Sequence, residues 1–378
     1  MKRYILLFLL IAITGYCHAQ STRTPSEVIK GRVIDSVSGK PIAGASVYLN
    51  GTYQGVTSNE DGSFTINSSE TDIPLIVSHI GYQTQNLANY AGKNLVLKLK
   101  PKPTELREVT IGDNTMSREA EMRIFLTEFI GSRNKDCVIS NPDDIYFTFH
   151  KNTQLLTAGA DKPLVIYNKK LGYKITYFLA GFRHLLTSRF TFYQGNYFFA
   201  EDTAGTPPKV LKKIIKERDS AYFGSRMHFI RSLWANKLPR NHFALYKTSL
   251  YKTWGTNHFL LDGDLFLLDT LKERISNNAR SYRDIIVIHD QKKFLSVKDT
   301  ILVVDLNHKR NNLKASFLLP VAGNKQALIN ENGYYGVDIL WSGEMALQRV
   351  NKLLPFEFKP SNYVAPKKPT SILHRLFK

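Results

Sequence analysis

The sequence predicts a β-rich α+β protein: a small β-sandwich followed by a larger mixed α+β domain. Three observations carry that expectation. From Val28 to Leu99, short β-branched runs alternate with turn residues at close spacing, the pattern of an all-β sandwich. From Ser117 to Ile130 the apolar spacing changes to that of a helix. Beyond it, stretches rich in Tyr, Phe, Ile and Thr enclose one further helical stretch that opens at Pro208. At 378 residues the chain exceeds the usual size of one domain, so two or three are expected.

Lys2 and Arg3 precede an apolar run from Tyr4 to Ile13, and Cys17-His18-Ala19 offers a small residue before a cut at Gln20. That is the pattern of a secretory signal peptide, so residues 1–19 are expected to be removed. The run falls short of the roughly twenty residues that a spanning helix needs. Tyr16 is bulky where an acylation signal places a small residue, which argues against lipidation at Cys17. Cys17 and Cys137 are the two cysteines of the chain. With the first in the leader, no internal disulfide is expected and the core must hold the fold.

The sandwich is expected over residues 20–100. Val28 to Ile34 is extended, and Asp35 to Pro41 is a turn-rich connection in which Gly39 is free to take positive φ. Ala45, Val47 and Leu49 alternate with Ser46 and Tyr48, the period of a half-buried strand. Asn50-Gly51 is a strong hairpin signal. Asn59-Glu60-Asp61-Gly62 reads as a turn rather than a calcium loop, after which Phe64 and Ile66 point inward together. Leu75 to Ile80 and Asn94 to Leu99 supply further strands. Gly31-Arg32-Val33, the run Gly39 to Val47, Asp61-Gly62-Ser63-Phe64 and Ile80-Gly81-Tyr82 resemble the carboxypeptidase regulatory-like domain, a transthyretin-like β-sandwich. The resemblance implies a module that docks or stabilises, with any catalysis elsewhere in the chain.

What it is attached to can be tested against motifs. A zinc carboxypeptidase needs a closely spaced His and Glu plus a distant His; none of the ten histidines has a suitably placed Glu. No Gly-x-Ser-x-Gly elbow and no phosphate-cradling Gly-rich loop is present. Glu105-Leu106-Arg107-Glu108-Val109-Thr110-Ile111 resembles the junction that follows this module in TonB-dependent transporters. The roughly 270 residues after it are too few for a plug and a 22-stranded barrel at roughly ten residues per strand. Asp262-Gly263-Asp264 with Glu273 imitates a calcium loop, but Phe266 and Leu267 stand where an oxygen ligand and a turn glycine belong.

A linker is expected at 101–115, the mixed domain at 116–360 and a basic tail at 361–378. Ser117 can cap a helix with Glu119 and Glu121 in its first turn, an apolar face of Met122, Phe125, Leu126, Phe129 and Ile130, and Gly131 at its end. Strands are expected over Asp143–Ala160, Leu164–Phe182 and Ser188–Phe199. A helix follows from Pro208 to about Lys237, broken near Asp219 or Gly224, and β patterning returns from Asn257 to Ile339. Gly131-Ser132-Arg133-Asn134, Leu171-Gly172-Tyr173-Lys174-Ile175, Tyr222-Phe223-Gly224-Ser225, the run His228 to Leu233, and Leu353-Leu354-Pro355 resemble a group of exported, carboxypeptidase-regulatory-like proteins of Gram-negative bacteria. That resemblance implies a place in the periplasm or on the periplasmic face of the outer membrane, and no particular activity.

Charge is unevenly spread. Residues 20–115 hold nine basic against nine acidic side chains, so nearly all of the net charge of +19 lies from Met116 onward. Such a field attracts anionic partners. For an exported chain these are an acidic envelope protein or an anionic membrane or lipopolysaccharide surface rather than nucleic acid. Lys209, Lys212, Lys213 and Lys216 fall on adjoining faces of one helix, with Val210, Leu211, Ile214 and Ile215 expected as its core-facing side. Ser225, His228 and Arg231, at spacings of three, trace one helical stripe. They read either as an anion clamp or as a buried polar ladder tethering the helix. Lone Cys137 reads as a small buried hydrophobe. The expectation is a non-enzymatic envelope binding or scaffold protein without cofactor or metal. A hydrolase of cell-wall or glycan material, or a small-ligand binder using the aromatic strands, are the alternatives.

Overall fold

The computed structural model describes residues 27–68, 72–90, 92, 94–102, 116–131, 135–247, 285–306, 314–319, 326–336 and 339–361. The leader, most of the linker, the Asp262–Glu273 stretch and the tail beyond Ser361 lie outside the described residues.

The N-terminal strands are β1 (Glu27–Asp35), β2 (Ser46–Leu49), β3 (Gly55–Thr57), β4 (Ser63–Ser68), β5 (Leu75–Ser78), β6 (Gln85–Leu87) and β7 (Asn94–Leu99). They form two sheets, β4-β1-β7 and β3-β2-β5-β6. In β4, Phe64 and Ile66 are buried while Thr65 and Asn67 are exposed, so alternation alone places the inward face. Strand β1 pairs antiparallel with β4 and parallel with β7, burying Ile29 and Val33 between the sheets. Asp35 closes β1 by accepting the N–H groups of Val37 and Ser38 and the hydroxyl of Tyr82. Those backbone donors hold its carboxyl at about 2.

Helix α1 (Arg118–Phe125) starts where Ser117 Oγ accepts the Ala120 N–H and runs into a wider turn, Leu126–Ile130. Gly131 ends it at φ 115. The next six strands are β8 (Cys137–Ile139), β9 (Ile145–His150), β10 (Leu155–Ala160), β11 (Leu164–Asn168), β12 (Tyr173–Leu185) and β13 (Phe190–Glu201). They make a single antiparallel meander of four rows. Strands β8 and β9 lie end to end, β10 and β11 return beside them, and β12 and β13 follow. A bulge between Leu179 and Gly181 bends β12. Phe125 and Phe129 of the α1 segment cover one face, meeting Phe182, Tyr177 and Tyr193 at ring centroids of 5.0–5.1 Å.

Helices α2 (Pro208–Tyr222) and α3 (Arg226–Trp234) follow, separated at Gly224, whose φ of 76 suits glycine. The remaining strands are β14 (Phe243–Lys247), β15 (Ile286–His289), β16 (Lys292–Ser296), β17 (Ile301–Asp305), β18 (Lys314–Leu319), β19 (Gln326–Ile329) and β20 (Leu340–Gly343). They form the sheets β14-β17-β18-β20 and β15-β16-β19. Phe229, Ile230 and Leu233 of α3 share a core with Phe243, Val303 and Leu318 of that first sheet.

The sandwich does not stand apart from the second region. Strand β13 is an edge of the meander, and the loop between β2 and β3 covers it. Gly51 N–H donates to Tyr197 O at 2.7 Å, Phe199 N–H to Thr52 O at 2.8 Å, and Tyr197 N–H to Asn50 Oδ1 at 2.9 Å. Tyr48 packs on Phe178 and Phe198 on one face of the edge, Tyr53 on Tyr173 and Phe199 on the other. The Asn50-Gly51 hairpin signal therefore marks a five-residue loop that clasps a neighbouring sheet. Phe356 N–H closes the clasp by donating to Gly51 O at 2.9 Å.

Candidate functional site

Helix α2 differs from its expected packing. Ile214 is buried, but Val210, Leu211 and Ile215 are 46%, 36% and 41% exposed. The reason lies in how the helix is anchored. Its C-terminal half is held by Arg218, which bonds Leu171 O at 2.7 Å and Glu201 Oε2 at 2.7 Å while its guanidinium sits 4.0 Å over the Tyr173 ring. Tyr222 is buried there too, and Asp219 accepts Ser361 N–H and Oγ–H. The N-terminal half is held only by Ile214, and its other side chains stay exposed. Lys209, Lys212, Lys213 and Lys216 are all exposed on it, and none has a carboxylate partner among the described residues. Pro207 gives no side-chain cap and the first turn carries no acid. Lys209 in the first turn opposes the helix dipole, and like charges four residues apart (Lys209 and Lys213, Lys212 and Lys216) repel, so these lysines do not serve the stability of α2. The four lysines form one basic face of the helix, and Val210, Leu211 and Ile215 stay exposed on the opposite side, around buried Ile214.

Ser225, His228 and Arg231 do share one side of α3, in different environments. Ser225 is the N-cap, its Oγ accepting the His228 N–H at 3.1 Å, the usual use of serine at that position. His228 is buried among Tyr222, Phe223 and Phe243. Its Nδ1 accepts the Gly224 N–H at 3.2 Å, which leaves the proton on Nε2. Burial, helped by the Arg231 and His242 charges, pulls its pKa down to about 4. Arg231 donates to Phe356 O at 3.0 Å and lies 5.3 Å from the Tyr222 ring. Of the three, Arg231 ties the helix to the C-terminal segment, while Ser225 and His228 hold the start of α3. Cys137 is buried on β8 and its thiol is pushed up to about 12 by burial, the environment of an inert side chain.

Sequence reasoning missed a second constellation, next to this one. Tyr177 of β12 and Tyr193 and Tyr197 of β13 stand on one face of the meander, where Tyr177 and Tyr197 stack at 5.5 Å, and Arg226, the first residue of α3, is tied to Gln348. The even spacing of Tyr193 and Tyr197, which puts both on one face of a strand, was the available signal. Among the described residues, no group of three or more His, Cys, Asp or Glu is arranged to hold a metal ion. No described helix is long and apolar enough to cross a membrane.

With this geometry in view, the class of the first domain is settled: residues 29–111 match the family model of the CarboxypepD_reg-like domain. That match covers the sandwich and the linker as far as Ile111. The TonB-dependent receptor SusC of Bacteroides thetaiotaomicron is 36% identical over 100 residues, 26% of this chain and 10% of the receptor. TonB-dependent receptor P3 of Formosa agariphila is 29% identical over 119 residues, 31% of this chain and 11% of that receptor. The chain therefore spans about a tenth of the length of these curated relatives. A solved structure of a candidate carbohydrate-binding protein from Bacteroides uniformis aligns at 12% identity and a TM-score of 0.17, over 41% of this chain and 60% of that one. So low a score carries no functional weight.

Proposed function

We propose that this chain is a non-enzymatic binding or scaffold protein of the bacterial envelope that holds to an anionic lipid surface through α2. One observation carries the reading: Val210, Leu211 and Ile215 stay exposed on a helix whose other face bears four lysines with no carboxylate partner among the described residues. A helix with an apolar face and a lysine-rich border is suited to the boundary between headgroups and acyl chains. Each lysine near an anionic leaflet contributes on the order of 1 kcal/mol, and the apolar stripe adds the burial that charge alone lacks. The kinship of the first domain to segments of TonB-dependent receptors supports an envelope address. The docked sandwich would then be a rigid neighbour of the contact, held at a fixed distance by the clasp on β13.

Co-sedimentation of the mature protein with phosphatidylglycerol vesicles and with phosphatidylcholine vesicles tests this. Binding to the anionic vesicles that weakens with salt is expected. Changing Lys209, Lys212, Lys213 and Lys216 together to Gln should reduce it at least tenfold. Changing Val210, Leu211 and Ile215 to Ser should reduce the part that survives high salt. Equal binding to both vesicle types, or a lysine variant that sediments like wild type, would overturn the reading. Selective binding to a purified acidic envelope protein instead would transfer the same face to a protein partner.

A further inference from the structure

The meander ends on an open strand. Strand β9 pairs with β10 on one side and with no described strand on the other. The Asp161 N–H donates to Asp144 O at 3.4 Å, and in an antiparallel ladder such bonded pairs recur at every second residue. Tyr146, Thr148 and His150 therefore direct their backbone groups to β10, while those of Ile145, Phe147 and Phe149 turn outward. Ile145 O fits that alternation, because it accepts Arg118 Nη2 from the start of α1 at 3.0 Å. Phe147 and Phe149 each keep an outward N–H and C=O that no described residue bonds.

Sheet edges are usually guarded by charges, proline, shortness or a covering loop. The β13 edge is clasped by Gly51 and Thr52, strand β7 carries exposed Lys98, and β3 and β6 span three residues each. Strand β9 has none of these guards. Its six residues, Ile-Tyr-Phe-Thr-Phe-His, include no lysine, acid, proline or glycine. Tyr146, Thr148 and His150 are exposed on one face. On the other, Phe147 meets Phe125 of α1 at 5.7 Å. An apolar strand with free donors and acceptors in ladder spacing is a template for a further strand.

The ends of β9 select the partner. Exposed Asp143 stands just before the strand and exposed Lys151 just after it, and neither has an ion-pair partner among the described residues. Asp144, by contrast, is taken by Lys162 at 3.0 Å. A second copy running antiparallel brings each Lys151 toward the Asp143 end of the other, twice over by two-fold symmetry. The free backbone groups then fix the register. An axis at Phe147 would need Ile145 O, which Arg118 holds, and an axis at Phe149 would need Lys151, which lies in the turn. An axis at Thr148 needs neither. It sets Phe147 of each copy opposite Phe149 of the other, each pair exchanging both its N–H···O bonds. Thr148 meets Thr148 on the exposed face, where Tyr146 lies opposite His150.

We propose that β9 pairs with β9 of a second copy of this chain, joining two meanders into one continuous antiparallel sheet about a two-fold axis at Thr148. The pairing stands independently of the lipid contact at α2.

Sedimentation velocity of the mature protein over a concentration series tests it. One strand pairing makes a small interface, so a reversible dimer with a dissociation constant on the order of 10 μM is expected. Thr148→Lys and Thr148→Glu each place like charges opposite one another on the axis and should raise that constant at least tenfold. Mixed in equal amounts, the two variants should dimerise again, because Lys then faces Glu. Should the Thr148 variants fold poorly, exposed Lys151→Glu should weaken the dimer several-fold, and Asp143→Lys in the same chain should restore it. The four-lysine variant of α2 should dimerise as wild type does. The proposal is overturned if the protein stays monomeric up to about 1 mM, or if the Thr148 and Lys151 variants dimerise as wild type does. It is also overturned if folded Thr148→Lys and Thr148→Glu chains are monomeric alone and remain so when mixed, or if the dimer is lost with the α2 lysines.

Discussion

Helices α2 and α3 are neighbours in the chain with similar raw material, and the structure treats them oppositely. Each alternates basic residues with large apolar ones. In α3, Met227, His228, Phe229, Ile230, Ser232 and Leu233 are all buried, so the helix is core on nearly every side. In α2 only Ile214 and Tyr222 are buried. The difference comes from what each helix meets. The sheet β14-β17-β18-β20 receives α3, whereas the first two turns of α2 bury Ile214 and leave Val210, Leu211 and Ile215 exposed. An apolar stripe states what a helix can bury; the surrounding topology decides whether it does.

The sharpest way to test that contrast is one substitution made at one residue type on both helices. Leu233→Ala removes a side chain with no exposed surface. It should destabilise the protein by about 2–5 kcal/mol, the range for Leu→Ala in a packed core, read as a lower denaturant midpoint at unchanged slope. A loss under about 1 kcal/mol would mean that α3 is far less tightly packed than its burial indicates.

The second test is acid. His228 sits at about 4 in the folded protein against 6.5 as the ordinary value. Between those values the unfolded chain binds the proton and the folded one does not, so stability rises with pH across that window. Lowering pH from 7 toward 4 should therefore cost about 3 kcal/mol from this residue at about 1.4 kcal/mol per pH unit. His184, also lowered by burial, acts in the same direction. His228→Phe should start from lower stability at pH 7, because the Gly224 N–H loses its acceptor, but should show a shallower decline below pH 6.5. An unchanged slope in that variant would place the acid sensitivity elsewhere.

The third test addresses the clasp. Gly51 has φ 75, and a Cβ there would stand 2.5 Å from the Phe356 ring. Gly51→Ala should cost about 1–3 kcal/mol from the left-handed backbone and the overlap together. The cost should shrink in a Phe356→Ala background, since the two residues are in contact. Additive effects would show that the aromatic ring moves aside freely.

What the sequence made legible divides along the same line. The sandwich could be read from residues close together: the alternation of Phe64 and Ile66, the turn at Asp61-Gly62, and the glycines Gly39 and Gly62, both at positive φ. The Ser117 cap, the Gly131 stop and the break at Gly224 are local signals of the same kind. The candidate sites were less legible. Lysine spacing placed the α2 cluster on a surface, but nothing local told that Val210, Leu211 and Ile215 would stay uncovered. Arg226 and Gln348 are more than one hundred residues apart, and only the meeting of α3 with the C-terminal segment brings them together. The docking of Gly51 and Thr52 onto β13 is likewise a long-range pairing that hairpin chemistry does not specify.

The smallest expected effect completes the comparison. Leu211 carries the same side chain as Leu233, but it is 36% exposed at the unanchored end of α2. Truncating it removes few contacts and opens no cavity, and alanine is the better helix former. Leu211→Ala should thus change folding stability by no more than about 0.5 kcal/mol, as surface substitutions do. If the stripe serves a lipid surface, the same variant should release protein from anionic vesicles at high salt, where the lysines are screened and apolar burial carries the contact. Stability and attachment would then separate cleanly, with Leu233 governing the first and Leu211 the second. A Leu211→Ala variant that loses stability as Leu233→Ala does would instead mean that α2 packs in solution against some other part of the chain, and the contrast between the helices would fall with it.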